Sequence, residues 1–363
     1  MSQPVVGPLI SIVIDNYNYA RFVGAAIEST LAQTWPHCEI DVVDDGSTDE
    51  SRAVIERYAG RVATIFQENR GQSGAFNAGF AASRGDIVLF LDSDDLLTPE
   101  AAAAIVAAWR PGTAKAQFCL STIDAAGRFL GNVFPNYPVG LDAAAIRRET
   151  LRTALYPCPP TSGNAYARDF LRQVTPVPPV LAGADGPLNT LAPLYGEVVT
   201  INSALGCYRV HGANDGAQRD LAPEKFARFI RHDQHRAALL QQHAARLGIA
   251  VDRDPLRRAP LHMQYRLASL RLLPAAHPVP GESALVVACR GMVAAWQARE
   301  RLPARLFTML WFLAVGVLPA GAARRLIALR FVPASRPALL GAVLRRLGAL
   351  RRTGARASAP AAG

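Results

Sequence analysis

An α/β fold built on a mainly parallel sheet, followed by a helical C-terminal part, is what this sequence predicts, and three observations predict it. Over the first hundred residues, short apolar runs alternate with stretches of helical spacing. Each apolar run ends in a polar or acidic cluster. Past residue 250 the composition changes: residues 251–363 hold 18 arginines, no lysine and four acids (Asp252, Asp254, Glu282, Glu300), so a chain of net charge +10 is divided into a part of +14 and a part of −4.

The elements follow in order. LISIVID (9–15) is apolar and β-branched, the pattern of a buried strand. ARFVGAAIESTLAQ (20–33) sets Phe22, Ala26, Ile27 and Leu31 at helical spacing, and EIDVVDD (39–45) is a second strand. In STDESRAVIERYAG, Ser47, Thr48 and Glu50 make a capping-box pattern and Gly60 closes the helix. VATIFQE (62–68) is a third strand and AFNAGFAASRG a short helix closed by Gly85. DIVLFLD carries five apolar residues in a row, a fourth buried strand, and TPEAAAAIVAAW is a helix with Pro99 in its first turn.

Ligands of such sheets bind beyond the carboxyl ends of the strands. Those ends read Asp15-Asn16-Tyr17-Asn18, then Asp44-Asp45-Gly46-Ser47, then ENRGQSG, then Asp92-Ser93-Asp94-Asp95. Carboxylates this close repel and raise one another's pKa, and a bound cation removes that cost. An Asp-x-Asp turn offers oxygen ligands to Mg2+ or Mn2+. The glycine-rich NRGQSGAFNAG puts backbone N–H groups near a helix start, where phosphate is welcome. Asp44 and Asp45 can accept hydrogen bonds from a base or ribose. Together these groups suit a nucleotide diphosphate held through a metal, although each acidic turn taken alone is equally an Asx turn or helix cap.

Two other chemistries fit the motifs less well. Dinucleotide binding wants G-x-G-x-x-G after the first strand, where this chain has DNYNYARFVG. LFLDSDDLL half matches the Asp-x-Asp of haloacid-dehalogenase phosphatases, but Leu96 stands where Thr or Val is usual, and that motif normally lies on a first strand.

SIVIDNYNYARFVGAAIESTLAQTWPHCEIDVVDDGSTDES followed by ENRGQSGAFNAGFAASRGDIVLFLDSDD resembles the family 2 glycosyltransferases of GT-A fold, over about residues 8–212. The resemblance implies a nucleotide-sugar donor (UDP-, GDP- or dTDP-linked), a divalent metal (Mg2+ or Mn2+) and inversion at the anomeric carbon. It implies that Asp15 and Asn18 line the nucleotide pocket, and that Asp44 and Asp45 meet base and ribose. Asp92 and Asp94 become the metal motif, with Asp95 adjoining on the acceptor side. Where many members carry Pro-Thr this chain has Asp15-Asn16, which leaves the choice of nucleotide open. Where many carry Arg before the residue matching Asn77 it has Phe76, so a phosphate contact is expected from Arg70. Asp185, in VLAGADGPLNTLAPLYG, is nominated as catalytic base; by residue type alone it is equally a helix N-cap. PPTSGNAYAR resembles an acceptor-side loop, with Thr161, Ser162 and Asn164 as hydrogen-bonding groups and Tyr166 as a stacking platform. His211, in YRVHGAND, is either structural or completes the metal or diphosphate site.

The expected division is a GT-A catalytic domain over 1–220, a helical extension over 221–345 and a basic, disordered tail over 346–363. Residues 221–247 read as a long polar helix. LFTMLWFLAVGVLPAGAA (306–323) is uncharged; as a helix its 18 residues would span about 27 Å, close to the ~30 Å of a hydrocarbon core. Gly316, Pro319 and arginines on both sides point to an interfacial or re-entrant segment, with a buried soluble helix as the alternative. LRRLGALRR (344–352) would add affinity for an anionic membrane surface. No signal peptide, zinc site or disulfide framework is expected, nor nucleic acid as a partner, since no reader motif accompanies the basic part. The setting inferred is the cytoplasmic face of a membrane, by peripheral or monotopic association, with a glycan or polyprenyl-linked acceptor in exopolysaccharide or cell-envelope synthesis. The alternatives are a metal-dependent Asp-x-Asp phosphatase and a non-catalytic, membrane-associated sugar-nucleotide-binding module.

Overall fold

The computed structural model describes residues 7–138, 140–179, 183–212 and 221–332. The expected tail over 346–363 and the basic stretch 344–352 lie outside these residues.

The chain opens with β1 (Ile10–Asn16), α1 (Ala20–Leu31), β2 (Cys38–Asp44), α2 (Ser51–Glu56), β3 (Ala63–Phe66), α3 (Gly71–Ala82) and β4 (Ile87–Asp92). These strands form the order β3-β2-β1-β4 and all pair parallel, as the alternation of apolar runs and helices predicts. Helices cover both faces, so the strands bury side chains in both directions. In β1, Val13 enters one core with Phe76 and Phe90, while Ile10, Ile12 and Ile14 enter the other with Ile27 and Ile55.

Past β4 the sheet becomes mixed. A short β5 (Leu96–Leu97) and α4 (Ala101–Ala108) lead to β6 (Thr113–Asp124), β7 (Phe129–Phe134), α5 (Ala143–Thr153), β8 (Asn164–Ala167), α6 (Arg168–Val174), α7 (Asp185–Tyr195) and β9 (Glu197–Val210). The order continues β4-β8-β6-β9-β5, with β7 beside β6. β8 runs antiparallel to both β4 and β6, whereas β6 and β9 pair parallel. The parallel rule thus holds for the first half only. Short β8 reverses direction and carries the chain from the nucleotide-type half into the half that ends at His211.

One cap differs from expectation. α2 has Glu50 at its N-cap position and no side-chain cap bond; the Asp49 carboxylate accepts from Ser51 N–H at 2.9 Å instead of a Ser47 or Thr48 capping box. Ser47 is drawn away because its hydroxyl donates to Asp44 at 2.5 Å.

α8 (Pro223–Arg246), the long polar helix foreseen over 221–247, packs on α7 and begins a helical extension. α9 (Pro260–Leu272), α10 (Ala284–Gln297), α11 (Leu302–Val317) and α12 (Ala320–Phe331) complete its described part. They share a third core of Phe226, Met263, Leu267, Trp311, Phe312 and Ile327. The uncharged run 306–323 is not one helix: α11 ends at Val317, and Pro319, which cannot continue the backbone ladder, sits in the cap of α12. No described helix is long and apolar enough to cross a membrane.

Candidate functional site

Parallel register places the acids. Asp15 lies directly beside Asp92 across β1 and β4, and Asn16 beside Asp44 across β1 and β2. Three strand ends therefore deliver their polar residues to one edge, onto a cavity of 940 Å³. Asp15, Asp45, Asp92, Asp94 and Asp185 all line it, although Asp185 lies 91 residues further along the chain than Asp94.

Gln72 connects the acids. Its side-chain amide donates to Asp15 Oδ2 at 3.2 Å and Asp92 Oδ1 at 2.8 Å, and its carbonyl oxygen accepts from Ala184 N–H at 2.9 Å. One residue of α3 thereby ties the metal-type turn to the start of α7. Sequence reading passed over Gln72, since a lone glutamine in a glycine-rich stretch gives no signal of its own.

Asp92, Asp94 and Asp95 bring carboxylate oxygens within 4.8 Å of one another. The environment of Asp92 and Asp95 resists charge. Burial, followed by the neighbouring Asp15 and Asp95 carboxylates, pushes Asp92 well above the usual range. Burial pushes Asp15 up to about 7, only partly countered by the Gln72 bond, and Asp15 Oδ1 is buried with no hydrogen-bond partner among the described residues. A cluster of oxygens that is costly to ionise, one of them without a partner, fits a hard divalent cation. His211 is 8% exposed, and its Nε2 lies 2.8 Å from Asp94 Oδ2, so the imidazole stands at the edge of this cluster.

Asp95 plays another part. It is 0% exposed, Ser162 Oγ donates to its Oδ2 at 2.6 Å, and Arg209 N–H donates to its Oδ1 at 2.8 Å. Asp95 thus fastens the acidic turn to the 161–163 loop and to β9. Ser162 also accepts from the Asp92 N–H at 3.2 Å. Among the expected acceptor-side groups, Thr161 lines the cavity, but Ser162 faces Asp95 and Asn164 donates to three backbone carbonyls at Pro159, Pro160 and Thr161. Tyr166 is 1% exposed and packs between Phe90 and Phe170, with its hydroxyl donating to Asn189 at 3.0 Å. The structure therefore places Tyr166 in the core behind the site and not on its surface. The aromatic rings on the cavity wall are Tyr17, Tyr19, Tyr156, Tyr208, Phe229 and Tyr265.

On the nucleotide side, Asp45 accepts from Gln67 at 2.6 Å and from Arg70 N–H at 2.9 Å. Its turn depends on Gly46, whose φ of +76° and 2.8 Å virtual Cβ approach to Asn69 N leave no room for a side chain. Asp44 is spent inside the protein on Asn16 and Ser47, at 2.8 and 2.5 Å. Asn18 has φ +59° and accepts from Thr48 N–H at 2.7 Å, which shapes the 47–49 loop. Asn77 exchanges two hydrogen bonds with the Val177 backbone, at 2.9 and 2.7 Å. Arg70 is exposed, and its neighbours Asn69, Gly71 and Gln72 line the cavity in its place.

Asp185 opens α7, with Ala184 in the cap position and no side-chain cap bond there. Asn189 donates to its Oδ2 at 2.9 Å. Burial raises its pKa, opposed by the positive charges of Arg236 and Lys115. Lys115 is wholly buried, donates to Tyr156 Oη at 3.0 Å and to Gln117 at 3.2 Å, and is pushed down to about 8 by burial. A carboxylate with a raised pKa, oriented by the Asn189 amide at a cavity wall, has the character of a proton acceptor. The far side of the same cavity comes from the extension: Arg228, Phe229, His232 and Arg236 of α8, with Leu261 and Tyr265 of α9.

Residues 11–128 match the family model described as "Glycosyl transferase family 2". The chain belongs to glycosyltransferase family 2. An uncharacterised glycosyltransferase of Nostoc sp. is 41% identical over 214 residues, which cover 57% of this chain and 66% of that relative. Chondroitin synthase of Escherichia coli is 36% identical over 139 residues, covering 36% of this chain but 20% of the synthase. Matches to the relatives thus take in two thirds of their length at most in these two cases. The crystal structure of TarS from S. aureus aligns with a TM-score of 0.51 at 17% identity, over 88% of this chain and 55% of that one. That likeness, with the mixed sheet and its flanking helices, gives a GT-A-like α/β fold. Family membership sets the chain among the glycosyltransferases, and one relative is named for the synthesis of a polysaccharide, chondroitin.

Proposed function

We propose that this glycosyltransferase moves a sugar from a nucleoside-diphosphate donor to a hydroxyl of a glycan or lipid-linked acceptor, with inversion at the anomeric carbon. The observation that carries the reading is the convergence of Asp15, Asp45, Asp92, Asp94 and Asp185 on one cavity beside the start of α3. Asp45 would meet the nucleoside, and the backbone N–H groups at the start of α3 favour the diphosphate. Asp92 and Asp94, with His211 at the edge, would hold Mg2+ or Mn2+, which neutralises the departing diphosphate. Asp185 takes the proton of the acceptor hydroxyl as its oxygen bonds to the anomeric carbon and the bond from that carbon to the diphosphate breaks. Gln72 keeps Asp15 and Asp92 in register with α7, so the base and the metal-type turn hold a fixed separation. The acceptor enters along the wall shared with α8 and α9, which makes the extension after residue 220 part of the working enzyme. A location at the cytoplasmic face of a membrane belongs to the same reading, supported by the apolar, arginine-rich surface of that extension.

Calorimetric titration of UDP-, GDP- and dTDP-sugars, with Mn2+ and then with EDTA, tests the proposal. One donor is expected to bind only with metal, and Asp94→Ala to abolish that binding. A folded protein with metal that binds none of the donors would overturn it and favour the phosphatase or the non-catalytic module.

A further inference from the structure

α11 breaks the ordinary pattern of a surface helix. A helix on a globular protein is apolar on one side and polar on the other, and one that is apolar all round is buried in protein or lipid. α11 packs Trp311, Phe312 and Val315 inward. Its opposite side is equally apolar: Leu302, Leu306, Leu310, Leu313 and Val317 recur at intervals of three and four residues, and Phe307 lies beside them. That side is open, with Leu310 64%, Val317 58% and Phe307 55% exposed. Arg305 is the one charged residue among the sixteen of α11.

α10 repeats the arrangement. Val287, Ala288 and Ala294 point inward, while Leu285, Val286, Val293 and Trp296 are each about half exposed on the other side. The two helices approach closely through glycines. A Cβ on Gly291 would sit 2.2 Å from Phe312, and one on Gly316 would sit 2.7 Å from Ala288. Two adjoining helices thus present ten large apolar side chains outward, far beyond the scattered single residues of an ordinary surface.

The charges around this face have one sign. Between residues 284 and 331 the chain carries Arg290, Arg299, Arg301, Arg305, Arg324, Arg325 and Arg330 against the single acid Glu300. Arg299 and Arg301 sit in the α10–α11 connection, and Arg324 and Arg325 in the first turns of α12, so exposed cations stand at both ends of α11. Second copies of the same face would bring like charges together. An apolar surface rimmed by arginine matches the boundary between acyl chains and anionic headgroups.

We infer that α10 and α11 together form a monotopic docking face that lies in the headgroup layer of an anionic bilayer leaflet, with Phe307, Leu310, Val317, Val293 and Trp296 in the acyl boundary and the arginines on the phosphates. The inference rests on the membrane setting proposed above but not on the donor site. It replaces a spanning or re-entrant use of 306–323 by a paired-helix surface, because α11 ends at Val317, ahead of Pro319, and α10 supplies four of the ten outward side chains. Attachment by this face would hold α9, which packs against α10 and α11 and carries α8 on its other contacts, near a lipid-linked acceptor.

The test uses the full chain without detergent and vesicles of phosphatidylcholine with or without phosphatidylglycerol. The protein is expected to float with the anionic vesicles, to be released by high salt in part, and to partition weakly on phosphatidylcholine alone. Phe307→Glu combined with Leu310→Glu is expected to lower the vesicle-bound fraction by about tenfold or more. Both side chains are exposed, so the variant keeps its fold, and unchanged circular dichroism and donor titration check this. Arg299→Ala with Arg301→Ala is expected to weaken binding to anionic vesicles and leave the residual binding to neutral ones. Three results overturn the inference: no flotation of the parent protein, parental binding by the double-glutamate variant, or a dimer in light scattering that the same variant dissociates. Loss of donor binding with flotation intact would count against the proposed function and leave the docking face standing.

Discussion

Asp15→Asn should stabilise the metal-free protein above neutral pH. Asp15 accepts from Gln72 at 3.2 Å, but its other oxygen is buried without a hydrogen-bond partner among the described residues, and burial lifts its pKa from 3.8 to about 7. Between those two values the folded protein holds a proton that the unfolded chain has released. Stability therefore falls as pH rises through this window, and the full penalty is present above pH 7. Three units at 1.36 kcal/mol each set a ceiling of about 4 kcal/mol. The site opens on a cavity, so solvent screening cuts this to about 1–2 kcal/mol. Asparagine keeps the shape and one accepting oxygen for Gln72 while it removes the charge. In EDTA at pH 8 the variant should melt about 1–3 °C above the parent, and the difference should vanish near pH 4. Added Mn2+ should reverse the order, since the parent gains a bound cation that the variant holds less well. Differential scanning calorimetry across pH 4–8, with and without metal, checks all three arms. Equal melting temperatures at pH 8 in EDTA, or an unchanged pH slope, would refute the view that uncompensated carboxylate charge burdens this cavity.

Asp185→Asn should lower the transfer rate about 10²–10⁴-fold, with donor affinity held within about twofold, in single-turnover assays beside calorimetry. Because burial raises the Asp185 pKa, the parent's rate should climb with pH through that raised value as the base ionises, and the variant should lose this limb. Asn77→Ala removes both hydrogen bonds to Val177, which is 2% exposed, and should cost about 1–3 kcal/mol of stability in thermal melts without a matching loss of donor affinity.

How much of this was legible beforehand depends on the range over which each signal acts. The parallel half was readable because its rule is local: an apolar run, a cap, a helical period. Asp15, Asp45, Asp92 and Asp94 could be placed on one edge because parallel strands bring their carboxyl ends together. The antiparallel return of β8 was not readable, since four residues, NAYA, carry no mark of direction. Tyr166 and Asn164 had the chemistry of a binding loop, yet β8 runs through the middle of the sheet, and its side chains are consumed by Asn189 and by neighbouring carbonyls. Asn77 and Asn18 similarly spend their side-chain oxygens on backbone N–H groups. In each case residue type revealed hydrogen-bonding capacity, and only three-dimensional packing revealed where it was spent.

The extension shows the same limit in the opposite sense. Its composition suggested a separate object, but Arg236 donates to Thr190 at 2.7 Å, and a Cβ on Gly186 would stand 2.5 Å from His232. α7, which carries Asp185, is therefore pressed directly onto α8. Burial is the first cause of the raised Asp185 pKa and Arg236 the first to oppose it, and α8 supplies Arg236 outright and part of the burial. α10 and α11, which face the membrane in our reading, connect to α7 through α9 and α8, and α10 also through the 255–258 turn and α5. A lipid surface that steadies the extension would therefore act on Asp185 through these packed helices.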